Sequence, residues 1–498
     1  MFLGIDIGTA SSKGVLVSRA GAVVATETVP HEVSTPRPGW VEHDADAVWW
    51  NDFTLLARRL TAVAERPVEA LGVSGIGPCL LPADAAGRPL RPAILYGVDT
   101  RAGEQIAALT AELGAAEILR RGGTALSSQA VGPKARWLVE REPRVWARTS
   151  RLFMASSYLV HRLTGQYVLD HHSASQCDPM YDLRAAAWAT DWAAACAPGL
   201  ELPPLAWPGD VVGTVTAAAA RETGLPAGLP VTAGTVDAWA EAVSVGVRSP
   251  GDTMVMYGTT MFLVQVLTDP APHPGLWTTR GVLPGTYSLA AGMATSGAVT
   301  DWLRRLTGAD FATLTREAAE VPAGSRGLLL LPYFAGERTP LFDPDARGVI
   351  AGLTLAHGRA ELYRAALEGV AHGVRHNLDV MREAGGRATR LVAVGGGTTG
   401  SLWTRIVSDV TRAEQQVPRH TVGACLGDAM LAAAATGCEV DPGRWNPIDT
   451  VIPVDEANAA VHDEFHARYR ALYPATVDVA HFLAGQQHAA DVRGRTAD

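Results

Sequence analysis

Met1-Phe-Leu-Gly-Ile-Asp-Ile-Gly-Thr-Ala-Ser-Ser-Lys-Gly-Val-Leu-Val17 opens the chain, and the rest is organised around it. Phe2 to Ile7 is apolar except for Asp6, Gly8 to Ser12 has turn chemistry, and Gly14 to Val17 returns as apolar. The pattern predicts a β-hairpin. Asp6 ends a strand that is otherwise hydrophobic, and a carboxylate left dry and unpaired there costs several kcal/mol. It therefore needs a partner or a task. Successive amides of Gly8, Thr9 and Ala10 can form a concave nest for a phosphate. An acid beside such a nest suits a hydrated Mg²⁺, which takes one or two carboxylates plus phosphate oxygens. The same residues also fit an ordinary N-terminal hairpin with a surface acid.

A second stretch repeats this grammar. Thr253-Met-Val-Met-Tyr-Gly-Thr-Thr-Met-Phe-Leu-Val-Gln-Val266 is an apolar strand, a turn at Gly258-Thr259-Thr260 and a second apolar strand. One such unit in each half predicts two similar domains facing each other across a cleft, each offering backbone donors to a polyphosphate. It is a weak internal repeat and not a solenoid period.

The 498 residues exceed what one core can serve, so at least two domains are expected. Hydrophobic residues at 47% and charged residues at 19% describe a globular chain. A net charge of −9 argues against a nucleic-acid partner. Cys79, Cys177, Cys196, Cys425 and Cys438 form no CxxC and are odd in number, which favours reduced thiols and a cytoplasmic location. No basic, apolar leader precedes Phe2, and the most apolar helical stretch, Gly423 to Gly437, is short and carries Asp428, so no membrane association is expected. His171-His172, the only adjacent histidines, lack ligand-like neighbours and predict no metal site.

Along the chain, strands and helices alternate in both halves, which argues for α/β sheets in two domains, 1–246 and 247–498. Helices are predicted over Ala45–Ala64 with Asp44 or Asp46 as cap, Ala102–Leu119, Pro133–Glu142, Phe153–Leu163, Glu361–Ala384 and Gly427–Thr436. Leu80–Asp84 and Gly87–Leu90 read as a strand pair. Val231-Thr-Ala-Gly-Thr-Val-Asp237 is a strand and glycine turn leading into a helix whose first turn holds Asp237. Asp237 is the candidate general base; the same position suits an acid that merely favours a helix N-terminus. Gly395-Gly396-Gly397 lies between a buried strand and a helix, where backbone can approach a nucleotide or simply make a tight joint. No GxxxxGK[ST] loop and no Rossmann fingerprint occurs.

These pieces resemble the FGGY carbohydrate kinase family of the actin-like ATPase superfamily. The most specific is Gly348-Val-Ile350-Ala-Gly352-Leu353, seven residues, Glu361-Leu362, two more, and Ala365-Ala366-Leu367-Glu368, which follows the family's C-terminal signature. Leu331 to Pro340 is similar to the loop that precedes it in xylulose kinases. Asp6 to Thr9, Tyr257 to Thr260 and Gly395 to Gly397 resemble the family's two phosphate motifs and its adenosine motif. Gly234 to Asp237 resembles the segment with its catalytic acid, and Pro133-Lys134 with Trp137 its N-terminal signature, although Val131 departs from that pattern. The resemblance implies two actin-like ATPase (ribonuclease H-like) α/β domains with an interdomain cleft that closes over ATP. It implies ATP- and Mg²⁺-dependent phosphorylation of a sugar or polyol hydroxyl. Asp6 would organise the metal and Asp237 would take the proton. Gly8, Thr9, Ser11, Ser12, Lys13, Gly258, Thr259, Thr260 and Gly297 would hold phosphates, and Gly395, Gly396 and Gly397 the adenosine. A homodimer is compatible with it, since homodimers are common in this family.

Xylulose kinases carry Gln-Met-His-Gly after the glycine matching Gly75, where this chain has Ile76-Gly77-Pro78-Cys79, and the Arg-Glu pair of glycerol kinases is also missing. Tyr96-Gly-Val-Asp99-Thr-Arg101 replaces the Trp-Asn-Asp pattern of xylulose kinases. Gly77, Pro78, Asp99, Gln129 and Asp237 are the candidate substrate residues. The expected substrate is a pentulose of the kind xylulose kinases use, with another ketose or polyol (ribulose, fuculose, erythritol or glycerol) as the alternative. A nucleotide-gated sugar-binding protein without turnover is the competing class.

Overall fold

The computed structural model describes residues 1–495. By compactness the chain divides into two units. The first comprises Met1–Pro250, Val266–Ser288 and Val422–Pro447; the second comprises Gly251–Gln265, Leu289–Thr421 and Ile448–Asp498. The sequence suggests one break near residue 247, but the two units interleave, because the chain returns twice to the first.

The first unit is built on a mixed sheet of β1 (Phe2–Ile7), β2 (Ser11–Val17), β3 (Val23–Pro30), β4 (Ala70–Gly75), β5 (Val211–Thr214), β6 (Pro230–Thr232) and β7 (Thr235–Val236), in the order β5-β6-β4-β1-β2-β3 with β7 beside β4. β1 and β2 form the expected hairpin, with Asp6 opposite Lys13. On its other side β1 pairs in parallel with β4, bringing Asp6 level with Ser74. β1 is buried along its whole length, as an interior strand covered on both faces must be.

One of those covers is the helix Ala424–Ala435, apolar around its circumference apart from Asp428 and buried through most of its length. It reaches the sheet over glycines. A Cβ on Gly4 would lie 1.9 Å from the Cys425 carbonyl oxygen, and one on Gly72 would lie 2.2 Å from that of Asp428. Any side chain at either position would force the helix off the sheet. This contact decides where Asp428 points.

The second unit repeats the theme with β8 (Asp252–Tyr257), β9 (Met261–Leu267), β10 (Tyr287–Met293), β11 (Arg390–Val394), β12 (Gln415–Pro418) and β13 (Ile448–Ile452), ordered β10-β9-β8-β11-β12-β13. β8 and β9 are an antiparallel hairpin, and β8 pairs in parallel with β11. In each sheet a hairpin's first strand thus lies beside a parallel strand that runs into a glycine, Gly75 or Gly395.

Most predicted helices form, with instructive differences. Asp44 is the cap, accepting from the amides of Asp46 and Ala47, and a π-helical turn over Ala45–Trp50 precedes the α-helix Asn51–Ala62. The stretch expected as one helix over Ala102–Leu119 is two, Gly103–Leu113 and Ala115–Gly122, because Gly114 at φ +82° breaks the hydrogen-bond ladder. Leu81–Ala83 pairs with Arg151–Phe153, and only a bridge at Pro89 ties it to the segment read as its partner. The helix Glu456–Arg495 is legible from no strong stripe and holds Pro474 inside it. No helix among the described residues is long and apolar enough to cross a membrane. None of the five cysteines is bridged.

Candidate active site

In the first unit the hairpin turn is closed by the Gly8 amide donating to the Ser11 carbonyl at 3.1 Å, and a Cβ on Gly8 would sit 2.7 Å from that oxygen. Behind the turn, His31 places Nε2 3.1 Å from the Gly8 carbonyl and Nδ1 2.8 Å from Asp52 Oδ2. Ser12 donates to the same Asp52 oxygen at 2.8 Å. Its hydroxyl, read from sequence as a phosphate contact, therefore belongs to the buried support of the turn. Thr9 Oγ1 and the Tyr96 hydroxyl lie 3.0 Å apart, tying the turn to the loop after Ile94. Lys13 is exposed.

Four carboxyl groups converge at the ends of these strands: Asp6 on β1, Asp237 and Glu241 one turn apart on the helix Asp237–Ser244, and Asp428. Ser74 Oγ lies 3.0 Å from Asp6 Oδ1 and 2.6 Å from Asp428 Oδ2. Asp237 Oδ1 accepts from the Ala238 amide at 2.7 Å. Burial pushes the Asp6 carboxyl up to about 6, against the pull of Ser74 and Lys13. Burial and then the Asp6 charge raise Asp237 well above the carboxylate range. Glu241 rises to about 7 through burial and Asp6. Asp428 rises well above the range through burial and Asp6, and its Oδ1 is buried without a hydrogen-bond partner. A crowded set of acids with an orphaned oxygen is chemically suited to a cation. Among the described residues no three ligands are arranged to hold a metal directly. The set fits an ion held largely through water and phosphate, as Mg²⁺ is.

The loop Ile76–Cys79 runs beside Asp237: a Cβ on Gly77 would lie 2.7 Å from a Val236 methyl, and Pro78 is buried. Asp99, read as a sugar contact, has its carboxylate engaged within the protein. Oδ2 accepts from the Val41 amide at 2.7 Å and from Arg101 Nη2 at 2.6 Å, while Oδ1 accepts from the Arg101 amide at 3.1 Å. Arg101 also pairs with Glu42 at 2.8 Å and lies over the Trp40 ring at 4.0 Å. A charge just after a buried strand is where a ligand contact is expected; in the fold an arginine two residues on neutralises Asp99 instead. Gln129 accepts from the Gly97 amide at 3.1 Å. Lys134 is buried, donates to the Ser128 carbonyl at 2.5 Å, and is pushed down to about 8 by burial.

In the second unit the Gly258 amide donates to the Thr260 carbonyl at 3.1 Å. The helix Gly297–Thr307 starts against this turn, the Ser296 and Ala298 amides donating to Thr259 and that of Gly297 to Gly258 at 3.0 Å. Gly297 thus spends its amide on the turn and serves by close approach, since a Cβ would lie 2.8 Å from the Gly258 oxygen. Gly395 leaves β11 at φ +92°, where any Cβ would strike the Tyr257 carbonyl at 2.6 Å. Gly396 faces open space, and Gly397 abuts Tyr257 and Trp403. Gly258, Thr259, Thr260 and Gly297 form one cluster in this unit, and Gly395 to Gly397 adjoin it through Tyr257.

Ser74, Glu241, Asp428, His31 and Asp52 were not foreseen. For Asp428 a signal existed: it is the single charge in an alanine-rich helix.

The chain matches the FGGY family of carbohydrate kinases, N-terminal domain, over residues 1–244 and the C-terminal domain of the same family over 253–436. It is 31% identical to the xylulose kinase of Escherichia coli (strain K12) over 452 residues, 88% of this chain and 91% of that one. It is also 31% identical to glycerol kinase 2 of Streptomyces coelicolor over 471 residues, 89% of each. The crystal structure of xylulose kinase from Rhodospirillum rubrum superposes with a TM-score of 0.90 at 32% identity, covering 96% of this chain and 99% of that one. Two glycine-turn hairpins, the acids at the strand ends and matches to both family domains make this chain a member of the FGGY family of ATP-dependent carbohydrate kinases.

Proposed function

We propose that the chain phosphorylates a hydroxyl of a pentulose or a closely related sugar, with Asp237 as general base. The observation that carries this reading is the position of Asp237: at the first turn of a helix, beside the Gly77-Pro78 loop, and near enough to Asp6 for the Asp6 charge to raise it further. Phosphoryl transfer asks the protein for positioning, charge neutralisation and an acceptor for the hydroxyl proton. The Ala238 amide fixes one Asp237 oxygen, which leaves the other to accept that proton. Burial raises the basicity of the carboxylate, and a base matched to working pH contributes about 10²–10⁴ in rate. Gly8 and Gly258 spend their own amides on closing the two turns, which leaves the amides of the residues that follow them to bind phosphate oxygens, and Gly395 to Gly397 accept the adenosine. Asp6 orients a hydrated Mg²⁺, which when bound supplies charge neutralisation to the phosphates. His31 and Asp52 keep the first turn in shape. Gln129 and the apolar Ile76–Cys79 loop shape the sugar side, with Asp99 acting through Arg101. The active site works on a small molecule in the cytoplasm, without nucleic acid or membrane.

The test is ADP release, with ATP and Mg²⁺, across ketopentoses, deoxyhexuloses, tetritols, pentitols and glycerol. A ketopentose is expected to give the largest kcat/KM. A tetritol or glycerol as the single strong responder would overturn the pentulose reading.

A further inference from the structure

We infer that Tyr96 is a positioning residue for the first phosphate turn: its phenol O–H donates to Thr9 Oγ1, which leaves the one hydrogen of Thr9 to point at a phosphate oxygen. This deepens the reading of the Gly8 turn given above and rests on it. Thr9 Oγ1 and the Tyr96 hydroxyl lie 3.0 Å apart, and by geometry either can donate to the other. The ligand decides between the two. A hydroxyl has one hydrogen, and the oxygens of an ionised phosphate accept. Were Thr9 the donor to Tyr96, it would turn a lone pair towards the phosphate. With Tyr96 as the donor, both contacts are made and run in one direction, so that each polarises the next.

Contacts on both sides hold the pair in register. On the Thr9 side, the Gly8 amide donates to the Ser11 carbonyl at 3.1 Å and the His31 amide to the Ala10 carbonyl at 3.0 Å, so the backbone is tied immediately before and after Thr9. On the Tyr96 side, the Leu95 amide donates to the Val41 carbonyl at 3.0 Å, and the Tyr96 carbonyl accepts from the Asp99 amide at 2.9 Å. The next residue, Gly97, donates its amide to Gln129 Oε1 at 3.1 Å and accepts at its carbonyl from Ser128 Oγ at 2.8 Å. A Cβ on Gly97 would lie 2.7 Å from the Gln129 side chain, so the backbone has no slack there. The Tyr96 ring is half-buried and packs against the core that holds Ile5, Ile7 and Val73. Asp99 and Gln129, read above as shaping the sugar side, are thus the residues that deliver the phenol to Thr9. Tyr96 ties that side to the phosphate turn through a single hydroxyl.

The test uses Tyr96→Phe, Thr9→Val, Thr9→Ser and the double variant Tyr96→Phe with Thr9→Val. The probes are a non-hydrolysable ATP analogue and AMP, which lacks the outer phosphates, by calorimetry in the presence of Mg²⁺, with urea unfolding of each variant. Tyr96→Phe keeps the ring and removes only the hydroxyl. It should weaken the analogue by about two- to tenfold, the range of one hydrogen bond, with AMP affinity unchanged. A merely structural role would lower stability and both affinities together. Thr9→Val should lose at least as much as Tyr96→Phe, and Thr9→Ser, which keeps a hydroxyl, should bind the analogue as the wild type does. The double variant should bind no more weakly than Thr9→Val, because the two hydroxyls act as one unit. Wild-type analogue affinity in Tyr96→Phe, additive losses in the double variant, or an equal loss for AMP would overturn the proposal. If Thr9→Val itself binds the analogue as the wild type does, the phosphate-turn reading has failed and the proposal falls with it; a loss in Thr9→Val with none in Tyr96→Phe overturns the role of Tyr96 alone.

Discussion

Gly427→Ala makes a strong demand on this structure. Gly427 lies inside the helix Ala424–Ala435, where alanine should gain up to about 1 kcal/mol in helix propensity. Its ideal Cβ, however, would stand 1.8 Å from the Ala240 carbonyl oxygen, 2.7 Å from the Ala240 carbonyl carbon and 3.2 Å from the Ser244 amide. These are backbone atoms of the helix Asp237–Ser244, so no side chain can rotate aside. Relief to the 3.0 Å limit of real Cβ contacts requires 3.0 − 1.8 = 1.2 Å of separation between the two helices. Overpacking of this kind costs about 1–3 kcal/mol or more, which outweighs the propensity gain. The displaced helix carries Asp237 and Glu241. A shift of about 1 Å in a catalytic group lowers the rate on the order of 10²-fold, roughly 2.7 kcal/mol of barrier. The assay is kcat by coupled ADP release at saturating substrates, with urea unfolding for stability. Gly103→Ala is the control: it begins the helix Gly103–Leu113, has no heavy atom within 4 Å of its Cβ, and should gain stability with kcat unchanged. If Gly427→Ala matched that control in both stability and kcat, the close approach of the two helices would not govern where Asp237 sits.

Three further outcomes are expected. Asp237→Asn should cut turnover about 10²–10⁴-fold while ADP affinity by calorimetry stays within about twofold; wild-type turnover would place the base elsewhere. Gly8→Val should weaken ATP by about tenfold or more and leave the sugar KM unchanged, because its Cβ would press on the Ser11 carbonyl 2.7 Å away; equal losses for both substrates would remove the phosphate-turn reading. His462 in the second unit is buried with both ring nitrogens unbonded, and burial lowers it from 6.5 to about 4. Its folded pKa is depressed, so its contribution is present above pH 6.5 and is lost as pH falls towards 4, about 3 kcal/mol for 2.5 units. Urea unfolding between pH 7 and 4.5 should show this slope and His462→Leu should reduce it; identical slopes would show that the histidine takes up its proton as readily in the folded state as in the unfolded one.

The sequence by itself determined the local devices. The two hairpins, Gly395, the helix opening at Asp237 and the long helix Arg359–Glu383 all rest on turn chemistry and periodicity within a few residues, where backbone conformation is chosen. The family signature in 348–368 is likewise local. Tertiary structure alone decided how charges are matched. Asp99 looked available until the fold brought Val41 and Arg101 to it, and Ser12 until Asp52 lay beneath it. Asp428 meets Ser74 across a separation of 354 residues, because Gly4 and Gly72 admit a helix onto β1 and β4 at backbone contact. No spacing along the chain encodes that meeting. Burial then raises the proton affinity of both Asp6 and Asp428, since the cost of a buried charge depends on everything packed around it.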